Sequence, residues 1–192
     1  MGAYTVKIID KNEHDLLIKT IRQGFFYNGR QYRPNNAIAT ALLLESNLGI
    51  RIIDILHLTL NSFVKDGDNY RLDIVEKKTS KICIHKVPEQ VYNFVQEYCN
   101  HNNITASARI VPICERQVQK HLKACREYLG IEKVSTHSFR KMSGSEIYES
   151  SGHDIEAVRE FYNHSSVNTT QAYIKRNSAR LEQYICDNVH LV

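Results

Sequence analysis

The chain has no run of the ~18 apolar residues that a membrane-spanning helix needs, although 42% of its 192 residues are hydrophobic. Met1 to Asp10 lack the basic-then-apolar layout of a secretory leader. Both absences predict a cytoplasmic protein. C-x-x-C spacing is missing too, and the five cysteines, Cys83, Cys99, Cys114, Cys125 and Cys186, are odd in number. That pattern argues against a disulfide framework or a zinc knuckle and predicts reduced, buried thiols. His121 and Cys125 stand four apart on a predicted helix, but two ligands do not make a metal site. There is no clustered Asp/Glu constellation of the kind that two-metal phosphoryl transfer requires. Neither metal nor cofactor is expected. Internal repeats and low-complexity stretches are absent as well.

What is present reads as one domain with a real core. The net charge of +4 is compatible with a nucleic-acid partner, but many ordinary domains carry as much. Asn12 can cap a helix running to about Gly24, and Gly24 to Arg33 reads as a loop. Pro34 suits the first turn of a helix over roughly 35–48, with Ile38, Leu42 and Leu48 on its stripe and Gly49 ending it. Ile52, Ile53 and Leu56 form a second short helical pattern. The period then changes to two in Tyr70-Arg71-Leu72-Asp73-Ile74 and Ile82-Cys83-Ile84-His85, which predicts two short strands. Helices follow from Pro88, through Val91, Phe94, Val95 and Tyr98, and over about 115–129. From His137 onward short helices with loops are expected, and Ser178 to Val192 reads as an amphipathic tail helix. The predicted class is mainly α with a small antiparallel β-sheet, that is, α+β.

Four clusters can carry chemistry. In Gly49-Ile50-Arg51-Ile52-Ile53-Asp54, an arginine follows a glycine break inside an apolar run. A buried guanidinium there needs a partner, and Asp54, one turn on, is placed to supply it; the plain alternative is a surface arginine on an amphipathic helix. In Thr136-His137-Ser138-Phe139-Arg140, His137 and Arg140 share a helical face and can reach one anion. H-x-x-R by itself is a common pattern. In the stretch His164 to Tyr173, a histidine precedes a tyrosine by nine residues across a Ser/Asn/Thr turn. With 11 tyrosines in the chain, a capped helix start carrying an ordinary Tyr explains that stretch equally well. In Glu76-Lys77-Lys78-Thr79-Ser80-Lys81, a turn lysine can reach into a cleft and give a proton, or the run is a solvated basic turn.

The ordered series Arg51, Lys78, His137-x-x-Arg140, His164 and Tyr173 resembles the tyrosine recombinase, or phage integrase, family. Leu48 to Asp54 looks like the family's first arginine box and Lys78-Thr79-Ser80-Lys81 like its hairpin lysine. Thr136 to Arg140 is similar to its second arginine box, and Gly152-His153-Asp154-Ile155 to the turn before its second histidine. The resemblance covers about 35–176. It implies the family's catalytic-domain fold, with residues 1–192 as a single catalytic domain. A lead-in helix and loop would occupy 1–33, the catalytic core 34–176 and a tail helix 177–192, with the core-binding domain absent.

The resemblance also implies strand breakage and rejoining through a 3′-phosphotyrosine, for integration or excision of a phage or other mobile element. Tyr173 would be the nucleophile, and Arg51, Arg140 and His164 would stabilise charge on the phosphate. His137 would be the general base and Lys78 the general acid, with Asp54 in support. Lys77 and Lys81 are rivals of Lys78; strand alternation would separate Lys77 from Lys78 if the strand ran that far. The implied partners are double-stranded DNA and other protomers, in a tetramer with the tail helix exchanged or folded back. A type IB topoisomerase-like nicking-closing enzyme and an inactive DNA-binding regulator on the same fold are the alternatives. One departure stands out: Tyr162-Asn163 occupies the place where the family usually has Leu-Gly. Asn tolerates the left-handed backbone that Gly would take.

Overall fold

The computed structural model describes residues 6–171. Helix α1 (Lys11–Gln23) starts from Asp10 rather than Asn12. Asp10 accepts the Glu13 N–H at 2.8 Å and the Glu13 carboxylate accepts the Asp10 N–H at 3.4 Å. That reciprocal box satisfies two end donors at once. The following stretch is not a loop. It is a hairpin of β1 (Phe25–Tyr27) and β2 (Arg30–Tyr32), turned at Asn28-Gly29 with φ of 47° and 70°. Two successive left-handed residues match the twist of the strands, and Asn-Gly is the pair that adopts them most readily.

Helix α2 (Asn36–Leu48) begins one residue after Asn35, whose side chain accepts the Ile38 N–H at 2.9 Å. Pro34 therefore lies before the cap, not inside the first turn. Gly49 closes the helix at φ 60°, as predicted. Ile38, Ala39, Ala41, Leu42, Leu44, Glu45 and Leu48 are all buried, so α2 is a central helix rather than a surface one. The short α3 (Ile52–Ile55) follows, then a 3-10 turn at Leu60–Ser62.

A second sheet has antiparallel order β3 (Phe63–Asp66), β4 (Asn69–Val75), β5 (Ile82–Val87). Strand β3 escapes prediction because only Phe63 of its residues is buried, leaving no alternation to read. In β5, Cys83, His85 and Val87 face inward while Ile82, Ile84 and Lys86 face out. Helix α4 (Glu89–His101) lies against β4, with Val95 and Cys99 buried and Tyr92 stacked on Tyr70 at 3.7 Å.

Helices α5 (Glu115–Tyr128), α6 (Thr136–Ser150), α7 (Ile155–Phe161) and α8 (Val167–Gln171) complete the described fold. At 15 residues α6 is no short helix. Its buried face includes Ser138, Ser143 and Gly144, which hide the helical period from an apolar count but let α6 lie close to α2. The architecture is mainly α with small antiparallel sheets, two of them rather than one among the described residues. Cys83, Cys99 and Cys125 are buried free thiols, whereas Cys114 is exposed because it sits in the cap of α5. Cys186 and the predicted tail helix from Ser178 to Val192 lie outside the described residues. Among the described residues no helix is long and apolar enough to cross a membrane.

Candidate active site

The left-handed Gly49 reverses the chain and delivers Arg51 to the start of α3. The Arg51 guanidinium lies 2.8 Å from the Glu76 carboxylate, whose side chain is 2% exposed. The Thr79 hydroxyl donates to the same carboxylate. Burial pushes the Glu76 carboxyl up, but Thr79, Arg51 and Arg140 outweigh it and hold the group below its ordinary range. Asp54 is not the ion-pair partner that the sequence predicts for Arg51. The end of the β4–β5 hairpin packs beside α3, brings Glu76 into contact with the guanidinium, and presents the Lys77 N–H to Asp54 at 2.8 Å. Burial raises the Asp54 carboxyl above its usual value.

Two acids thus clasp the lysine turn. The turn closes on itself through Ser80 N–H to the Glu76 carbonyl (2.8 Å) and Glu76 N–H to the Lys81 carbonyl (2.9 Å). Strand β4 stops at Val75, so strand alternation never reaches Lys77 and Lys78. Both are exposed; Lys81 is half-buried.

Helix α6 carries His137 and Arg140 one turn apart, as predicted. Arg140 is 1% exposed. Its guanidinium lies over the Tyr162 ring at 4.8 Å and donates to the Tyr162 carbonyl at 3.4 Å. His137 is exposed, yet the protein around its ring, then the charges of Arg140, Lys78 and Arg51, lower its pKa. His164 is buried, with Nδ1 3.1 Å from the Thr170 hydroxyl and its carbonyl accepting from Arg159 at 2.9 Å. Burial, then Arg140 and Arg51, bring its pKa down to about 4, so the ring is neutral at pH 7. Asn163 adopts the left-handed φ of 53° expected where the family has glycine. Glu45, fully buried on α2, has its carboxyl raised well above the ordinary range by burial, against the pull of Arg140.

The fields of Arg51 and Arg140 both act on Asp54, Glu76, His137 and His164, and Lys78 acts on His137. Arg140 stands one turn from His137 and donates to the Tyr162 carbonyl two residues before His164, Asn163 joins that loop to Ile82 beside the lysine turn, and Glu76 at the start of the turn holds Arg51. Tyr173 lies outside the described residues, two positions after α8 ends at Gln171. Glu76, Thr170, Tyr162 and Glu45 escape the sequence reading as site neighbours. Only Glu76 left a signal, the E-x-x-T spacing of a side chain closing its own turn. Chemically, two guanidiniums, two imidazoles and a turn lysine are groups that could serve one phosphodiester: donors for its oxygens, and proton carriers for the atoms that attack and leave.

The model of the phage integrase family matches residues 7–180. The tyrosine recombinase XerC of Bradyrhizobium diazoefficiens is 32% identical over 155 residues, which cover 76% of this chain and 47% of that protein. The SPbeta prophage-derived probable integrase/recombinase YopP of Bacillus subtilis is 34% identical over 166 residues, covering 81% of this chain and 44% of its own. The chain thus spans less than half the length of either relative. Among solved structures, a lambda integrase (75–356) dimer bound to a COC′ core site superposes with a TM-score of 0.68 at 13% identity, over 92% of this chain and 62% of that one.

Proposed function

The chain belongs to the phage integrase family, and from that premise we propose that it is the catalytic unit of a tyrosine recombinase, cutting and rejoining DNA through Tyr173. The observation that carries this reading is geometric: Arg140 donates to the Tyr162 carbonyl two residues before His164, Asn163 donates to Ile82 beside the lysine turn, and Glu76 at the start of that turn holds Arg51. Attack on a phosphodiester adds negative charge at the non-bridging oxygens. Preorganised guanidiniums stabilise that charge without reorganising, and each fixed donor contributes ~3 kcal/mol. His164 is neutral, so it stabilises the oxygens by donating a hydrogen bond; a ring that donates from Nε2 accepts at Nδ1, which lies 3.1 Å from the Thr170 hydroxyl.

The phenol oxygen of Tyr173 forms the new bond to phosphorus, and the bond to the 5′-oxygen breaks. His137, exposed and with its pKa lowered from the usual imidazole value, takes the phenol proton. Lys78 gives a proton to the leaving 5′-oxygen. Reversal by a different 5′-hydroxyl rejoins the strand and regenerates the tyrosine, so the bond energy is stored rather than lost.

The partners in this reading are double-stranded DNA and further protomers, assembled as a tetramer on paired sites, with residues 177–192 exchanged between neighbours. The prophage origin of one relative supports service to a phage or other mobile element. The work is assigned to the cytoplasm, where that DNA resides.

The test is incubation with a DNA duplex nicked near the cleavage position, which traps the covalent intermediate, followed by a denaturing gel. The chain should give a slow-migrating protein–DNA adduct, and Tyr173→Phe should give none while shifting duplex DNA in a native gel as the parent does. An adduct of equal yield from Tyr173→Phe removes the assignment.

A further inference from the structure

The segment between α7 and His164 is built into its surroundings in an unusual way. Tyr162 is 1% exposed. Its hydroxyl donates to the Arg140 carbonyl at 2.5 Å, its carbonyl accepts from the Arg140 guanidinium at 3.4 Å, and its ring lies under that guanidinium. Room for the phenol exists because residue 144 has no side chain: a Cβ there would lie 2.0 Å from the Tyr162 hydroxyl oxygen. Phe161 fits Gly49 in the same manner, with a Cβ at 49 falling 2.1 Å from its ring. Asn163 then reaches the other way. Its amide donates to the Ile82 carbonyl at 3.2 Å, at the first residue of β5 and one residue past the lysine turn.

We propose that Tyr162 and Asn163 are positioning residues that tie the His164 loop to Arg140 on one side and to the root of the Lys78 turn on the other. The inference rests on the strand-transfer reading of this site. An aliphatic residue at 162 would supply no hydroxyl and would stop short of the space beside Gly144 that the end of the phenol occupies. A glycine at 163 would adopt the same backbone but supply no amide. The two residues found here supply both, and the bonds run from the loop to α6, which bears Arg140, and to the first residue of β5, directly after the turn that bears Lys78. A donor displaced by a fraction of an ångström loses its value to the transition state while substrate binding persists. The role is therefore visible in rate rather than in affinity.

The experiment is single-turnover cleavage of the nicked duplex by the parent chain, Tyr162→Phe and Asn163→Gly. The rate constant is read separately from the amplitude, which counts competent molecules, with DNA affinity and melting temperature measured alongside. Tyr162→Phe keeps the ring and removes the hydroxyl. It should lower the rate constant about tenfold, with affinity within about twofold of the parent. Asn163→Gly should lower the rate constant about threefold by the same logic. Parental rate constants in both variants overturn the proposal, as does a fall in amplitude or melting temperature alone, which marks a merely structural role. If Tyr162→Phe does not fold, Asn163→Gly decides: a slower rate at unchanged melting temperature supports the link, and a parental rate overturns it. Absence of any adduct from the parent chain sinks the underlying reading, and the inference with it. Cleavage by the parent with unslowed variants sinks only the inference.

Discussion

Arg140 and Lys78, assigned to one site in the proposed reaction, stand in opposite kinds of setting. Arg140 sits in the second turn of α6, 1% exposed, with α2 behind it and Tyr162 beneath it. Lys78 stands on an exposed turn beyond the end of β4, held through its neighbours: Asp54 on the Lys77 amide, Arg51 and Thr79 on Glu76, and Asn163 on Ile82 at the turn's root. The contrast matches the work proposed for each. A charge-stabilising donor gains from having nothing left to reorganise. A proton donor must come within hydrogen-bond reach of an atom that arrives with the substrate, and an exposed turn held by polar contacts at its ends can adjust.

Four further predictions press on this contrast. The largest effect is expected at the rigid side. Arg140→Gln should slow single-turnover cleavage at least about a hundredfold, near 3 kcal/mol; a loss under fivefold would erase the distinction between fixed and adjustable groups. The second concerns acid. His164 and His85 are both buried with pKa values brought down to about 4, first by burial and then by Arg140. The unfolded chain binds protons at these rings below about pH 6.5, and the folded chain does not until about pH 4. Stability should be full above pH 6.5 and fall toward pH 4, by up to ~1.4 kcal/mol per pH unit for each ring. Glu45 acts in the opposite sense: its raised pKa adds stability in acid that is lost as pH rises through its folded value. Urea unfolding at pH 7.5, 6 and 5 measures the net slope, and His164→Gln should flatten it; an unchanged slope rules out a buried neutral ring.

Third, Gly144→Ala forces Tyr162 out of its seat and should cost about 1–3 kcal/mol of stability. A melting temperature equal to the parent's would show that the seat is loose. Smallest is Glu76→Gln, which keeps an acceptor for Thr79 but cancels the charge facing Arg51. It should cost about 2 kcal/mol or less, and hydrogen exchange at the turn amides should speed up while exchange in α6 stays put. Equal acceleration in α6 would mean that the two regions move as one.

Much of this was legible in the chain before it folded, because the chemistry sits where local rules apply. Gly49 needed a left-handed residue, and the pair His137 and Arg140 needed only the 3.6-residue period. The misses are of two kinds. Some were local signals overlooked: Asn28-Gly29 between aromatic residues is a hairpin turn, and Asp10-x-x-Glu13 is a capping box. The others were not local at all. That Glu76 rather than Asp54 would meet Arg51 depends on where the β4–β5 hairpin comes to rest against α3. The length of α6 was hidden by Ser138, Ser143 and Gly144, small residues chosen for close approach to α2 rather than for apolarity. Burial of Tyr162 depends on what is missing from residue 144, eighteen positions earlier.

Asp54 grips the main chain at residue 77 and leaves the Lys77 side chain exposed. Any amino acid except proline can stand at that position without loosening the grip. Lys77→Cys therefore offers an attachment point for a fluorophore, one residue from the proposed proton donor, through which the turn's excursions could be watched in real time as DNA arrives.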